Sequence, residues 1–217
     1  MRRVVFAKKD IVEVRDTPET PLESGKVRLK HLYSLISAGT ELLWLTGQTG
    51  VVNNIIPGYS GVGEIIEGDE HTKYKKGDMF FTYGTHSDYV DVPADKVDDI
   101  LVPVSRAHAR QSTFIQLGKV SLHGIRKVNI QLGDWVVVYG LGVVGNLSAQ
   151  LAAMAAGGKV IAVDPVEKRR KVAEKIGILT LDPKDGSYMD TIKEVTRGGA
   201  NIIIETSGSQ QALSQSL

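Results

Sequence analysis

The sequence predicts an α/β protein in two parts: a small β-barrel-like domain over 1–106, then a partial, doubly wound parallel sheet over 107–217. Three observations carry this prediction. Up to about Val104 the chain reads as short β segments punctuated by Gly, Pro and Asp. Beyond it, continuous apolar runs alternate with helical patterns, as in parallel strands buried on both faces. A glycine-rich stretch lies between the first of those runs and the helix that follows.

Each element has its own signal. Residues 25–32 alternate apolar and polar, as a half-buried strand does. Residues 60–67 read as a strand whose glycines allow a bend or a close backbone approach. Lys76-Gly77-Asp78 is a turn feeding a strand at 79–83, and 87–92 alternates again. The stretch 106–126 is helical in pattern, weakened at Gly118 and Gly124. Apolar strands follow at 135–139, 159–163, 178–181 and 201–204. Helices fill the gaps: an Ala/Leu-rich one at 146–156, a charged one at 167–176 ending at Gly177, and one at 188–196. The sequence has no internal repeat and no low-complexity segment.

Composition narrows the function classes. The chain has 217 residues, 42% hydrophobic and 24% charged, a soluble globular mixture. Twenty-six basic residues against 25 acidic give a formal charge of +1, so there is no basic footprint for nucleic acid and no polybasic membrane anchor. No run approaches the roughly 18 apolar residues of a membrane span. The start, Met1-Arg2-Arg3-Val4, lacks a signal-peptide core, which makes a cytoplasmic location the expectation. Cysteine is absent, which excludes disulfides and thiolate catalysis.

Gly140-Leu141-Gly142-Val143-Val144-Gly145 matches Gly-x-Gly-x-x-Gly, a pattern that is weak alone. Here it ends an apolar strand and opens a helix. Gly140 suits the tight turn, Gly142 lets a pyrophosphate approach the backbone, and Gly145 lets helix and strand pack closely. The amides of Val143 and Val144 at the helix start would meet the phosphate charge. The next strand ends at Asp164, close to the spacing of a ribose-binding acid. The competing reading is a glycine turn with no ligand. A carboxylate facing a 2′-phosphate would cost several kcal/mol, so NAD is expected over NADP. Arg169 and Arg170 on the next helix soften that preference if either reaches the phosphate; otherwise they are a solvated face.

Several motifs resemble those of the medium-chain dehydrogenase/reductase superfamily, the alcohol, polyol and quinone reductases. They are Tyr33-Ser34-Leu35-Ile36-Ser37-Ala38-Gly39-Thr40-Glu41, Pro57-Gly58-Tyr59-Ser60-Gly61-Val62-Gly63-Glu64, Lys76-Gly77-Asp78, the glycine loop, and Ile204-Glu205-Thr206-Ser207-Gly208. Ser-x-Ile-Ser-x-Gly-Thr-Glu, then Leu-Trp and Pro-Gly-Tyr, is most similar to a branch that includes bacteriochlorophyllide dehydrogenases. The resemblance implies a GroES-like β domain followed by a Rossmann domain. It also implies hydride transfer between a nicotinamide cofactor and a small-molecule alcohol or carbonyl.

Zinc-dependent members place a ligand Cys where this sequence has Ser37, and Gly-His-Glu where it has Gly58-Tyr59-Ser60. Zinc prefers thiolate, imidazole and carboxylate to hydroxyl groups. The cysteine-rich lobe of the structural zinc is also missing, and none of His31, His71, His86, His108 and His123 pairs at a ligand spacing. No zinc is therefore expected. His86 stands where the family often has a histidine-containing strand start; turn chemistry or packing is the alternative.

Without zinc, a hydrogen-bond donor has to hold the reacting oxygen. By resemblance Ser37, Thr40 and Tyr59 lie around the substrate cleft and are the catalytic candidates. The alternative is that Tyr59 packs in the core while Ser37 and Thr40 cap the helix that begins near Glu41. Thr206 and Ser207, just past the fourth strand, are expected to line the cofactor cleft.

Only four strands of a six-stranded dinucleotide fold are present, so weak NAD binding and poor turnover are the expectation for the chain as it stands. Two other readings stay open. One is enone reduction, as in the quinone-reductase-like branch. The other is a cofactor-binding but catalytically silent module. The residues leave homo-oligomerisation and the substrate undetermined.

Overall fold

The computed structural model describes residues 1–68 and 73–216; His71 lies outside the described residues. Two compact units result, Met1–Ile115 and Gln116–Leu217.

In the first unit, β1 (Arg2–Lys8) and β2 (Ile11–Asp16) form a hairpin that the sequence reading did not delimit. Asp10, with φ 60°, makes the turn between them. Then come β3 (Lys26–Ser34), α1 (Ala38–Leu45), β4 (Gly61–Glu67), β5 (Met79–Thr82) and β6 (Tyr89–Pro93). The short α2 (Val97–Ile100), β7 (Val102–Pro103) and α3 (Ala109–Ser112) complete the unit. Five strands pair antiparallel in the order β6-β3-β4-β5-β7. Val27, Leu29, Ile65, Phe80 and Val92 alternate inward to one core, and Val62, Met79 and Phe81 to another. The glycines of β4 allow a close approach: a Cβ on Gly63 would sit 2.7 Å from the Lys30 carbonyl oxygen of β3. Because α3 packs on β3 and β4, the stretch 107–115 belongs with the β unit, and the boundary falls after Ile115 rather than after 106.

The second unit continues α4 (Ile115–Val128), which carries Gly118 and Gly124 without a break. It adds β8 (Val136–Tyr139), α5 (Val143–Ala155), β9 (Val160–Val163) and α6 (Glu167–Glu174). It ends with β10 (Leu179–Leu181), α7 (Tyr188–Thr196), β11 (Ile202–Glu205) and α8 (Gln210–Ser216). The strands are parallel in the order β10-β9-β8-β11, which is the 3-2-1-4 order of a doubly wound dinucleotide fold. Val136, Val138, Val160 and Ala162 face α5, and Val137, Tyr139, Ile161 and Val163 face α7. Both faces of β8 and β9 are thus buried, which is why they read as unbroken apolar runs. Among the described residues no helix is long and apolar enough to cross a membrane.

Candidate functional site

The glycine loop is built by exclusion of side chains. Gly140, at φ 88°, turns the chain out of β8, and a Cβ there would lie 2.8 Å from the Ser207 amide. A Cβ on Gly145 would overlap the Gly140 carbonyl and the Thr206 hydroxyl. Gly142 is the opposite case: a Cβ would meet nothing within 4 Å, so the crest of the loop is open. Gly142 is the N-cap of α5 and no side chain caps the helix. The first amides, at Val143 and Val144, therefore have no acceptor from a preceding turn. Val143 is 38% exposed on that crest. Below it, Ser121 Oγ of α4 donates to the Val144 carbonyl at 3.0 Å and fixes the start of α5.

Thr206 Oγ1 donates to the carbonyls of Tyr139 at 2.9 Å and Gly140 at 3.0 Å. Ser207 turns the other way: its amide and hydroxyl both bond the Glu205 carboxylate. Of the two, Thr206 holds the loop and Ser207 shapes the turn after β11.

Asp164 is placed more deeply than a strand-tip acid. It is 1% exposed, with one carboxylate oxygen accepting the Leu141 amide and the other the Val166 amide, both at 2.7 Å. It thereby ties the tip of β9 to the glycine loop. Arg169, 54% exposed, lies 3.4 Å from Asp164. Arg170 is turned inward onto the Asp164 carbonyl and the Asp182 carboxylate, so its guanidinium is already engaged.

These features fit a dinucleotide. A pyrophosphate needs an open backbone, uncapped amides and no side chain overhead, and Gly142, Val143 and Val144 supply all three.

In the first unit, Ser37 is the N-cap of α1 and is buried, while Thr40 is the helix's third residue. The helix thus begins two residues before the Thr40–Glu41 start expected from sequence. Ser37 makes no side-chain cap; instead its own amide donates to Glu41 Oε1 at 2.9 Å. Tyr59 is half-buried, its ring edge-on to Trp44 of α1 with centroids 6.1 Å apart. Ser60 is buried, donating to the Thr113 carbonyl at 2.6 Å.

What joins these segments is His86. Its Nε2 lies 2.8 Å from Glu41 Oε2, and its Nδ1 lies 2.9 Å from Ser34 Oγ. Its amide donates to the Pro57 carbonyl at 2.8 Å, and a Cβ on Gly58 would collide with it. Sequence reasoning gave no role to Ser34, used Glu41 only as a helix start, and left His86 between a family strand-start histidine and turn chemistry or packing. Glu41 did carry a signal, since an acid four residues into a helix can reach back to the N-cap amide, but residue 86 is remote in sequence.

A second, half-buried imidazole, His31, bonds the Ser87 carbonyl through Nδ1 at 3.0 Å and Thr82 Oγ1 through Nε2 at 2.7 Å. A carbonyl only accepts, so Nδ1 bears the proton and Nε2 accepts from Thr82. Burial pushes its pKa below the ordinary 6.5. Both ring nitrogens of each histidine are engaged, and among the described residues no group of three His, Cys, Asp or Glu side chains could hold a metal ion.

A family profile described as zinc-binding dehydrogenase matches residues 143–217. D-guloside 3-dehydrogenase of Escherichia coli K12 is 35% identical over 159 residues, covering 72% of this chain and 45% of that protein. The 2-desacetyl-2-hydroxyethyl bacteriochlorophyllide A dehydrogenase of Cereibacter sphaeroides is 27% identical over 184 residues, covering 76% and 56%. The chain therefore spans about half the length of these curated relatives. The crystal structure of 2R,3R-butanediol dehydrogenase from Bacillus subtilis superposes with a TM-score of 0.82 at 22% identity, covering 99% of this chain and 73% of that one. Two further matching structures were solved with NADP and with NADH bound. With the glycine loop, the strand order and these likenesses in agreement, the chain belongs to the medium-chain dehydrogenase/reductase superfamily.

Proposed function

We propose that this chain carries the dinucleotide site and part of the substrate site of an NAD-linked, zinc-independent oxidoreductase that interconverts an alcohol and a carbonyl. The observation that carries the reading is the open crest at Gly142 above a loop whose other two glycines are closed in by backbone. The bound nicotinamide would supply the hydride chemistry. Val143 and Val144 amides would receive the pyrophosphate. A carboxylate has about four lone-pair sites, of which Asp164 uses three, on the Leu141 and Val166 amides and the Arg169 guanidinium, so about one acceptor is left for a ribose hydroxyl. Its negative charge favours NAD over NADP, with Arg169 beside it as the one group placed to weaken that preference. Zinc independence is supported by Ser37 and Tyr59 at the expected ligand positions and by the engaged nitrogens of His86. In that site Ser37, Thr40 and Tyr59 would surround the substrate.

The test is titration of the purified chain with NADH and with NADPH, read by Trp135 and Trp44 fluorescence, with zinc content measured on the same sample. A screen of alcohols, aldehydes and enones for nicotinamide absorbance change follows. Weak NADH quenching with slow alcohol/carbonyl turnover and no zinc is the expected result. Turnover of enones alone, or one equivalent of zinc per chain, would overturn it.

A further inference from the structure

We infer that Asp185 and Gly186, in the turn that leads into α7, form a self-modification site at which the chain converts its own aspartate through a cyclic imide to isoaspartate. All the reacting atoms lie in the second unit, and water is the only other reactant.

The nucleophile is the Gly186 nitrogen. This is the one Asp-Gly pair in the sequence, which has no Asn-Gly pair. Asp185, Gly186 and Ser187 are exposed, whereas Tyr188 beside them is buried. Among the described residues the Gly186 amide donates to no backbone acceptor, so its nitrogen is not tied up in the turn. A Cβ at 186 would meet nothing within 4 Å, and its φ lies outside the left-handed region. Neither space nor backbone conformation requires glycine for the turn itself.

The electrophile is prepared by Ser187. Its amide donates to Asp185 Oδ1 at 3.0 Å, and its hydroxyl donates to the same oxygen at 2.8 Å. Bonds to the residue two ahead fold the carboxyl forward along the chain, toward the Gly186 nitrogen that lies between. Two donors on one oxygen also stabilise the negative charge that gathers on Oδ1 as the ring closes. Oδ2 has no partner among the described residues and is left to depart. The same two bonds, the amide first, hold the carboxyl below its ordinary 3.8. The ionised form cannot lose water, so the reaction runs through the protonated fraction. A carboxyl kept only to start α7 would need Ser187 but not an unbonded amide on an uncrowded glycine.

In the first step the Gly186 nitrogen bonds to Asp185 Cγ and loses its proton, the Cγ–Oδ2 bond breaks, and Oδ2 leaves as water. Water then adds to the main-chain carbonyl carbon of Asp185. The bond from that carbon to the Gly186 nitrogen breaks, and nothing is oxidised or reduced. The main chain now runs through Cγ and is one carbon longer. Ser187 is the N-cap of α7, and Tyr188 and Ile192 seat that helix against Tyr139 and Ile161. A longer chain with its carboxylate displaced unties the helix start, and α7 loosens.

The test is peptide mapping of the 217-residue chain aged in mildly acidic H₂¹⁸O below its unfolding temperature, with isoaspartate located by electron-transfer fragmentation. Isoaspartate carrying ¹⁸O is expected at residue 185. It should form about fivefold faster than in a synthetic peptide of residues 182–190, the scale of one hydrogen bond held by the folded turn. Ser187→Ala should bring the rate down to that of the peptide. Gly186→Ala has room for its methyl group, and should slow the reaction about tenfold because ring closure needs backbone angles that glycine takes freely. Hydrogen exchange at the α7 amides should quicken in the aged wild type and not in aged Gly186→Ala. No isoaspartate at 185, a rate in the folded chain below that of the peptide, or an equal rate in Gly186→Ala overturns the proposal. Isoaspartate with unchanged exchange overturns the loosening of α7.

Discussion

Thr206 grips Gly140: its hydroxyl oxygen is 3.0 Å from the Gly140 carbonyl oxygen, and the same hydroxyl reaches Tyr139 at 2.9 Å. The residue after β11 thus holds the exit of β8, and the glycine loop keeps its shape through a neighbouring strand rather than through its own sequence. Replacing Thr206 by Val keeps the volume and removes the donor. The Gly140 carbonyl then loses its partner, while the Tyr139 carbonyl keeps the Thr206 amide, and the loss costs about 1–3 kcal/mol. Thr206→Ser should recover most of that in urea unfolding. Equal midpoints for Val and Ser would show that the hydroxyl does not matter.

Gly145 tests the same contact from the other side. A methyl group there has nowhere to go, because the Gly140 carbonyl and the Thr206 hydroxyl occupy its place. Gly145→Ala is expected to force α5 away from β8, cost about 1–3 kcal/mol by overpacking, and weaken NADH quenching in parallel. Gly142→Ala meets no atom within 4 Å in the free protein, so its folding stability should stay near wild type while NADH binding falls. A loss of stability at Gly142 matching that at Gly145 would contradict the open crest.

The sequence made the second unit legible because both faces of β8 and β9 are buried, and that burial selects unbroken Val/Ile/Ala runs. Gly140 and Gly145 were legible for the same reason: steric exclusion leaves a residue-type signature. The hairpin β1–β2 was harder, since Ile11, Val12 and Val14 point apolar side chains outward and blur the alternation. The pairing of His86 with Glu41 was not legible, although each residue stood out by itself. Their meeting depends on β6 bringing residue 86 beside α1, and a pairing across 45 positions leaves no local pattern. Asp164 was found by its spacing, but its depth and its bonds to Leu141 and Val166 come from packing that no spacing encodes.

Asp164 has two jobs to separate. Asp164→Ser removes the charge that would repel a 2′-phosphate, and the ratio of NADPH to NADH affinity should rise. Because like-charge juxtaposition costs several kcal/mol, a rise of about tenfold or more is expected. The same substitution unties Leu141 and Val166, so both affinities should fall in absolute terms. An unchanged ratio by fluorescence titration would count against the ribose role and leave only the structural one.

His31 gives the pH prediction. Burial, aided by the nearby His86, holds its folded pKa below the ordinary 6.5, although its bond to the Ser87 carbonyl works in the other direction. Well above pH 6.5 the group is neutral in both states and adds no pH dependence. Below that value the unfolded chain takes up a proton that the folded one refuses, so stability falls as the pH drops toward the folded value and levels off beneath it. The slope is limited to one proton, about 1.4 kcal/mol per pH unit. Urea midpoints followed by tryptophan fluorescence from pH 8 to pH 5 should therefore decline for the wild type and decline less for His31→Gln. The variant also loses the Thr82 and Ser87 partners and will be less stable throughout, so the quantity that decides is the difference between the two proteins as a function of pH. A gap that stays constant across that range would mean His31 titrates alike in both states, and that its burial does not govern its protonation.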